Sequence, residues 1–240
     1  MKGKLLFGLV LACAITANGA FLSENFDSGD QDGWTIANDS GGLGWAVGPS
    51  PSGVPGDLAW VSYDGLISRI AKPFDAAGSD VLVLEYDFYT TSTSATQRAF
   101  GGLADCSNPG SPGLAGLVRI GTSNKANYDL HYYTTALQQV STGVPLAVGW
   151  HHVKIVLTFD PANPSNTKLD WTLDSTSGSA TGAIAKPAVW GVVLGYNYSN
   201  GSGGDPDTST WYDNVMVTPE PAALILLSLG TLLCGRRRRA

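Results

Sequence analysis

The stretch VLVLEYDFYT, residues 81–90, sets Leu82, Leu84, Tyr86 and Phe88 on one face of an extended chain. Val81, Val83, Glu85, Asp87 and Tyr89 fall on the other. That period of two is the mark of a strand with one face on a core. The pattern recurs outward from this segment. WHHVKIVLTFD (150–160) sets Val153, Ile155, Leu157 and Phe159 against His152, Lys154 and Thr158. TKLDWTLD (167–174) sets Leu169, Trp171 and Leu173 against Lys168, Asp170 and Asp174. WGVVLGYNY (190–198) aligns Trp190, Val192, Leu194 and Tyr196, and STWYDNVMV (209–217) aligns Trp211, Val215 and Val217. Turn-rich segments such as DPANPSNT and NGSGGDPDTS separate the strands, and no long helical period interrupts them. Short strands recurring from Phe21 to Val217 predict an all-β fold, a sandwich of two packed antiparallel sheets over residues 20–217.

Composition agrees. The 240 residues include 30 Gly and 13 Pro, and only 14 % are charged. Between the two ends lie 8 Lys or Arg and 19 Asp or Glu. This acidic middle excludes a nucleic-acid partner, which needs clustered cations. Cys13 and Cys234 lie in the terminal apolar runs, so Cys106 has no internal partner for a disulfide.

Both ends read as addresses. MKGK followed by LLFGLVLACAITA is a basic start and an apolar run of signal-peptide length, with small residues after it, so residues 1–19 are expected to be a signal peptide. Lipid modification at Cys13 is the alternative, though Val10-Leu11-Ala12 fits a lipobox poorly. At the other end, the 14 residues from Ala222 to Gly235 carry no charge. As a helix they reach ~21 Å, short of a hydrocarbon core of roughly 30 Å. Arg236, Arg237, Arg238 and Arg239 follow as a basic stop that stays on the cytoplasmic side. Pro219 and Pro221 keep Glu220 out of any helix, so Pro219-Glu220-Pro221 is expected to be extended and accessible.

This order of motif, short span and arginines over residues 218–240 resembles the PEP-CTERM sorting signal of Gram-negative bacteria. Thr218 stands where that family often has Val. The resemblance implies an exosortase that removes the tail, transient residence in the inner membrane, and a destination at the cell surface or in an exopolysaccharide matrix. A plain single-span anchor is the alternative. A second resemblance is carried by Gly149-Trp150-His151-His152-Val153 with KLDWTLD, which is similar to concanavalin A-like (LamG-type) jelly rolls, and by ENFDSGDQDGW and WYDNVMV, which resemble the end strands of anchored bacterial jelly rolls. Leu173-Asp174-Ser175 departs from it by lacking Gly after Asp.

Some of these folds hydrolyse glycosides, and period two does bring Glu85 and Asp87 side by side. The next acid of that motif would be Tyr89 or Thr90, and neither can serve. The expectation is therefore a non-catalytic exported protein that holds polysaccharide. A glycoside hydrolase using Glu85 and Asp87, or a purely structural surface protein, is the alternative. The expected ligand face joins Trp60, Glu85, Asp87, Tyr89, Trp150 and His152, where indole faces stack on sugar rings beside polar groups. Trp171, Trp190 and Trp211 are expected in the core. Glu24 and Asp213 sit among inward residues, and a buried carboxylate needs a partner. If the first and last strands pair, both acids meet at one structural calcium ion. The alternative is satisfaction by backbone N–H groups and indoles. His131, His151 and His152 lack metal-ligand spacing.

Overall fold

A computed structural model describes residues 20–39, 46–52, 57–63, 68–94, 99–107, 117–122, 125–134, 136–196 and 209–219. In chain order the strands are β1 (Leu22–Glu24), β2 (Thr35–Asp39), β3 (Val47–Pro49), β4 (Leu58–Tyr63), β5 (Ser68–Phe74), β6 (Val81–Thr90), β7 (Ala99–Asp105) and β8 (Val118–Gly121). They continue with β9 (Asn127–Tyr133), β10 (Leu137–Pro145), β11 (Gly149–Thr158), β12 (Thr167–Leu173), β13 (Thr176–Gly182), β14 (Trp190–Tyr196) and β15 (Ser209–Pro219).

They form two antiparallel sheets. The eight-stranded sheet runs β13-β12-β11-β6-β15-β4-β3, with β1 also on β15, and the seven-stranded sheet runs β10-β9-β8-β7-β14-β5-β2. The all-β sandwich expected from the alternation is present. Leu82, Leu84, Tyr86 and Phe88 of β6 and Val153, Ile155 and Leu157 of β11 face the other sheet and are buried. Tyr86 crosses the core, its hydroxyl donating to Gly101 O at 2.8 Å or Ile120 O at 2.9 Å. Cβ atoms at Gly101 would strike the Tyr86 ring, so the glycine makes room for this tyrosine.

First and last strands do pair, with Leu22 opposite Val217 and Glu24 opposite Val215. β15 has β6 on one side along its whole length; on its other side β4 covers the first half and β1 the second. At the changeover lies a bulge. Asp213 faces Asp87 and Met216 faces Glu85, so two residues of β15 stand where β6 has one. Asn214 takes φ 51° there. The bulge reverses the side-chain phase, which corrects one expectation. Trp211 lies on the outer face against Tyr89, and Tyr212 takes the core position, 1 % exposed. Trp171 and Trp190 are buried as expected. The turn after β12 forms without the missing glycine because Asp174 itself adopts φ 53°.

β15 runs to Pro219, opposite Leu82. The first residue of the expected sorting motif is thus extended but belongs to the sheet. Glu220, Pro221, Arg236, Arg237, Arg238, Arg239, the short span and the signal peptide lie outside the described residues.

Candidate functional site

The outer face of the eight-stranded sheet carries most of the expected ligand residues. β6 and β11 pair with Asp87 opposite His152 and Glu85 opposite Lys154. His152 Nδ1 lies 2.7 Å from Asp87 Oδ1, Asn214 Nδ2 donates to Asp87 Oδ2 at 2.9 Å, and Lys154 Nζ donates to Glu85 Oε1 at 2.7 Å. Tyr89 sits edge-on between Trp150 at 5.6 Å and Trp211 at 5.9 Å, a row of three half-buried rings across β11, β6 and β15. Trp60 is not part of it. It pairs with Tyr212 on the core side, ring centroids 5.6 Å apart, and is 0 % exposed. Alternation misled because β4 is covered on both faces: Ala59, Val61 and Ser62 are buried as well.

Glu24 and Asp213 do not meet. Glu24 Oε1 accepts from Phe26 N at 2.9 Å, and Oε2 accepts from the Trp34 indole and from Lys72 Nζ, each at 3.1 Å. Both oxygens are satisfied by the backbone, an indole and an ion pair. Asp213 instead lines a cleft of about 440 Å³ with Asn25, Asp27, Asp57, Asp87, Trp150 and Asn214. Burial there, with the nearby charges of Asp57, Asp27 and Asp87, pushes its carboxyl up to about 7.

A second constellation lies on the outer face of the seven-stranded sheet. The sequence reading passed over it. β8 sets Arg119 opposite His131 of β9, which stands opposite Gln139 of β10. Arg69 of β5 and Phe100 of β7 both flank Gly195 of β14. Arg69, Phe100, Arg119, Asp129 and His131 are all buried, at 0–6 % exposure, although they point away from the core. The Arg119 guanidinium lies 4.5 Å over the Phe100 ring, and Phe100 and His131 are 4.9 Å apart. Arg119 Nη2 donates to His131 Nδ1 at 3.1 Å, which fixes the imidazole proton on Nε2. That Nε2 is buried and has no hydrogen-bond partner among the described residues, and neither has Asp129 Oδ1. The other Asp129 oxygen accepts from Gln139 at 2.7 Å and faces Lys125 at 3.5 Å.

Burial drives the charges here away from ordinary values. Arg119 falls to about 10, chiefly by desolvation; Tyr133 acts to raise it and Arg69 to lower it further. Arg69 is lowered by desolvation. His131 drops to about 3 through burial, then through Arg119 and Lys125, so it is neutral at neutral pH. Arg69, Arg119, Asp129, His131, Tyr133 and Gln139 thus form one polar cluster, in which Tyr133 is half-buried and Gln139 exposed. Alternation in NYDLHYY could have grouped Asp129, His131 and Tyr133. Only strand pairing could add Arg119 and Arg69.

A stability consequence follows. The folded value of His131, about 3, lies below its ordinary 6.5, so between them the unfolded chain binds the extra proton. The contribution is complete above about pH 6.5 and is lost as pH falls toward about 3. Thermal unfolding between about pH 7 and about pH 4 should show wild type losing more Tm than His131→Asn. Parallel curves would refute the burial of a neutral imidazole.

No family model matches the chain, and no curated protein matches it. Solved structures do. The sandwich is similar to the PL-14 alginate lyase of Aplysia kurodai, with TM-score 0.60 and 10 % identity over 83 % of this chain and 98 % of that one. It is similar to domain 4 of AbnA, a GH43 extracellular arabinanase from Geobacillus stearothermophilus solved with arabinotriose, with TM-score 0.54 and 16 % identity over 84 % and 93 % of the two chains. It is also similar to the endo-β-1,4-glucuronan lyase of Trichoderma reesei, with TM-score 0.52 and 14 % identity over 85 % and 100 %. At these identities the likeness is one of fold. It corrects the expectation of a non-catalytic protein, which rested on a missing third acid on β6. Enzymes named as lyases share the architecture, and this chain is an all-β, two-sheet jelly-roll-like sandwich with carbohydrate-active structural neighbours.

Proposed function

We propose that this chain is an exported protein that binds an acidic polysaccharide and cleaves it by β-elimination on the outer face of the seven-stranded sheet. The observation that carries the reading is the buried guanidinium pair beside a neutral imidazole whose Nε2 has no partner. Such groups suit a carboxylate: Arg119 and Arg69 meet its charge, and the His131 Nε2–H donates to it. Neutralising a uronate carboxylate acidifies the C5 proton, because negative charge then develops where donors already stand. In this reading Tyr133, half-buried beside Arg119, acts as the phenolate and takes that proton. The C4–O bond to the leaving sugar breaks, C4 and C5 become doubly bonded, and Tyr133 passes the same proton to the departing oxygen, so the phenolate is restored. No water is consumed. The alginate and glucuronan lyases share the fold, and this supports a polyuronate substrate.

The test is direct. Alginate, polyglucuronate and a neutral β-glucan are incubated with the purified domain, and the ultraviolet absorbance of an unsaturated uronyl end is followed. Absorbance should rise with a polyuronate only. Reducing ends from the neutral glycan without absorbance, lost in Glu85→Gln, would replace elimination by hydrolysis at Glu85 and Asp87. No product from any of the three would refute catalysis.

Export follows the ends of the chain. In this reading residues 1–19 direct passage through the inner membrane, and an exosortase reads Pro219-Glu220-Pro221 and releases the domain to the surface or the exopolysaccharide matrix. Because β15 ends at Pro219, cutting beside the motif leaves the last strand whole. Mass spectrometry of the surface protein should find a C-terminus near Pro219 to Pro221. Chains still ending in Arg239 and Ala240 would overturn the sorting reading.

A further inference from the structure

Two parallel lines of side chains cross the outer face of the eight-stranded sheet. In the first, strand register sets Trp150 of β11 beside Tyr89 of β6 and Tyr89 beside Trp211 of β15. Buried Val61 of β4 closes this line beyond Trp211. The three rings stand edge-on to one another, 5.6 Å and 5.9 Å apart, and each is half-buried. Neighbouring strands lie about 4.8 Å apart, so the rings make an apolar strip about 10 Å long running across the strands. The second line lies two residues along each strand, about 7 Å away. There His152 stands beside Asp87, and Asp87 beside Asp213. The His152 side chain is 51 % exposed and that of Asp87 27 %. Among the described residues neither line holds a Lys or Arg. Lys154, one step further, is tied to Glu85 at 2.7 Å.

We propose that these two lines form a second glycan-binding surface, which holds a neutral, extended β-linked polysaccharide. A pyranose ring has an apolar C–H face and a rim of hydroxyls. Laid along the strip, successive sugars rest their apolar faces on Trp150, Tyr89 and Trp211. Their hydroxyls then point to the second line. Asp87 meets His152 Nδ1 through one oxygen and Asn214 Nδ2 through the other. A carboxylate has about four lone-pair sites, so both oxygens can still accept from a sugar hydroxyl. Such charge-assisted bonds are the strong ones. The same charge turns away a polyuronate, whose carboxylates would face Asp87 and Asp213 with no cation between. The two outer faces therefore differ in sign. Arg69 and Arg119 lie on one and suit an acidic chain, while aspartates beside an aromatic strip lie on the other and suit a neutral one. This inference rests on no step of the elimination.

The test is calorimetric titration of the purified protein with a soluble neutral β-glucan, alone and in the presence of alginate. The glucan should bind, keep its length, and bind as well in added salt, because no ion pair forms with it. Alginate should not displace it. Trp150→Ala and Trp211→Ala should each weaken glucan binding tenfold or more, and Arg119→Ala, on the opposite face, should leave it unchanged. If the tryptophan variants do not fold, wild type supplies a second measurement. Bound glucan should shield Trp150 and Trp211 from oxidation by N-bromosuccinimide, read by peptide mass spectrometry. Absence of glucan binding, affinity unchanged in both tryptophan variants, or oxidation of both indoles unaffected by glucan would overturn the proposal. So would displacement by alginate or shortening of the glucan. Uronyl absorbance from alginate reports the other face and is read separately.

Discussion

Tyr133→Phe should lower kcat for polyuronate cleavage by about 10²- to 10⁴-fold, the usual loss when a positioned proton carrier is removed. The change deletes one hydroxyl from a half-buried ring, so KM and Tm should hardly move. Arg119→Ala is expected to act differently. It removes a guanidinium that stands over Phe100 and donates to His131, so substrate binding and transition-state stabilisation should both fall. His131→Gln carries an amide donor out to the position of Nε2 and should retain more activity than His131→Ala. Steady-state kinetics on one polyuronate, with circular dichroism to confirm folding, separates these cases. Equal activity in Tyr133→Phe and wild type would remove the phenol from the reaction.

The second large effect is on stability. Trp60→Ala should cost about 3–5 kcal/mol, as for other buried aromatics cut back to alanine. In a domain of this size that lowers Tm by about 10 °C or more. The indole is 0 % exposed and packs on Tyr212 between β4 and β15. Trp60→Phe should lose much less. Denaturant or thermal unfolding measures both. A Trp60→Ala domain as stable as wild type, but weaker in glycan binding, would return Trp60 to an exposed ligand face. The aromatic row that is half exposed is Trp150, Tyr89 and Trp211.

Alternation of side chains was enough to predict two sheets and the inward sets of β6, β11 and β12. Each of these rests on a period of two that water and a single core impose on every half-buried strand. Four features were decided only by tertiary structure. The bulge at Asp213 reversed the phase of β15 and exchanged Trp211 for Tyr212 in the core. Burial of β4 on both faces hid Trp60. Glu24 found an indole and a lysine, while Asp213, two residues before the Val215 that stands opposite Glu24, lines a cleft with other aspartates. Arg69, Arg119, Asp129 and His131 came together from strands as far apart as β5 and β9. Local periodicity records which side of a strand a residue takes. It holds no record of which strand lies alongside or what covers the outer side, because those are set by long-range pairing between segments distant in the chain.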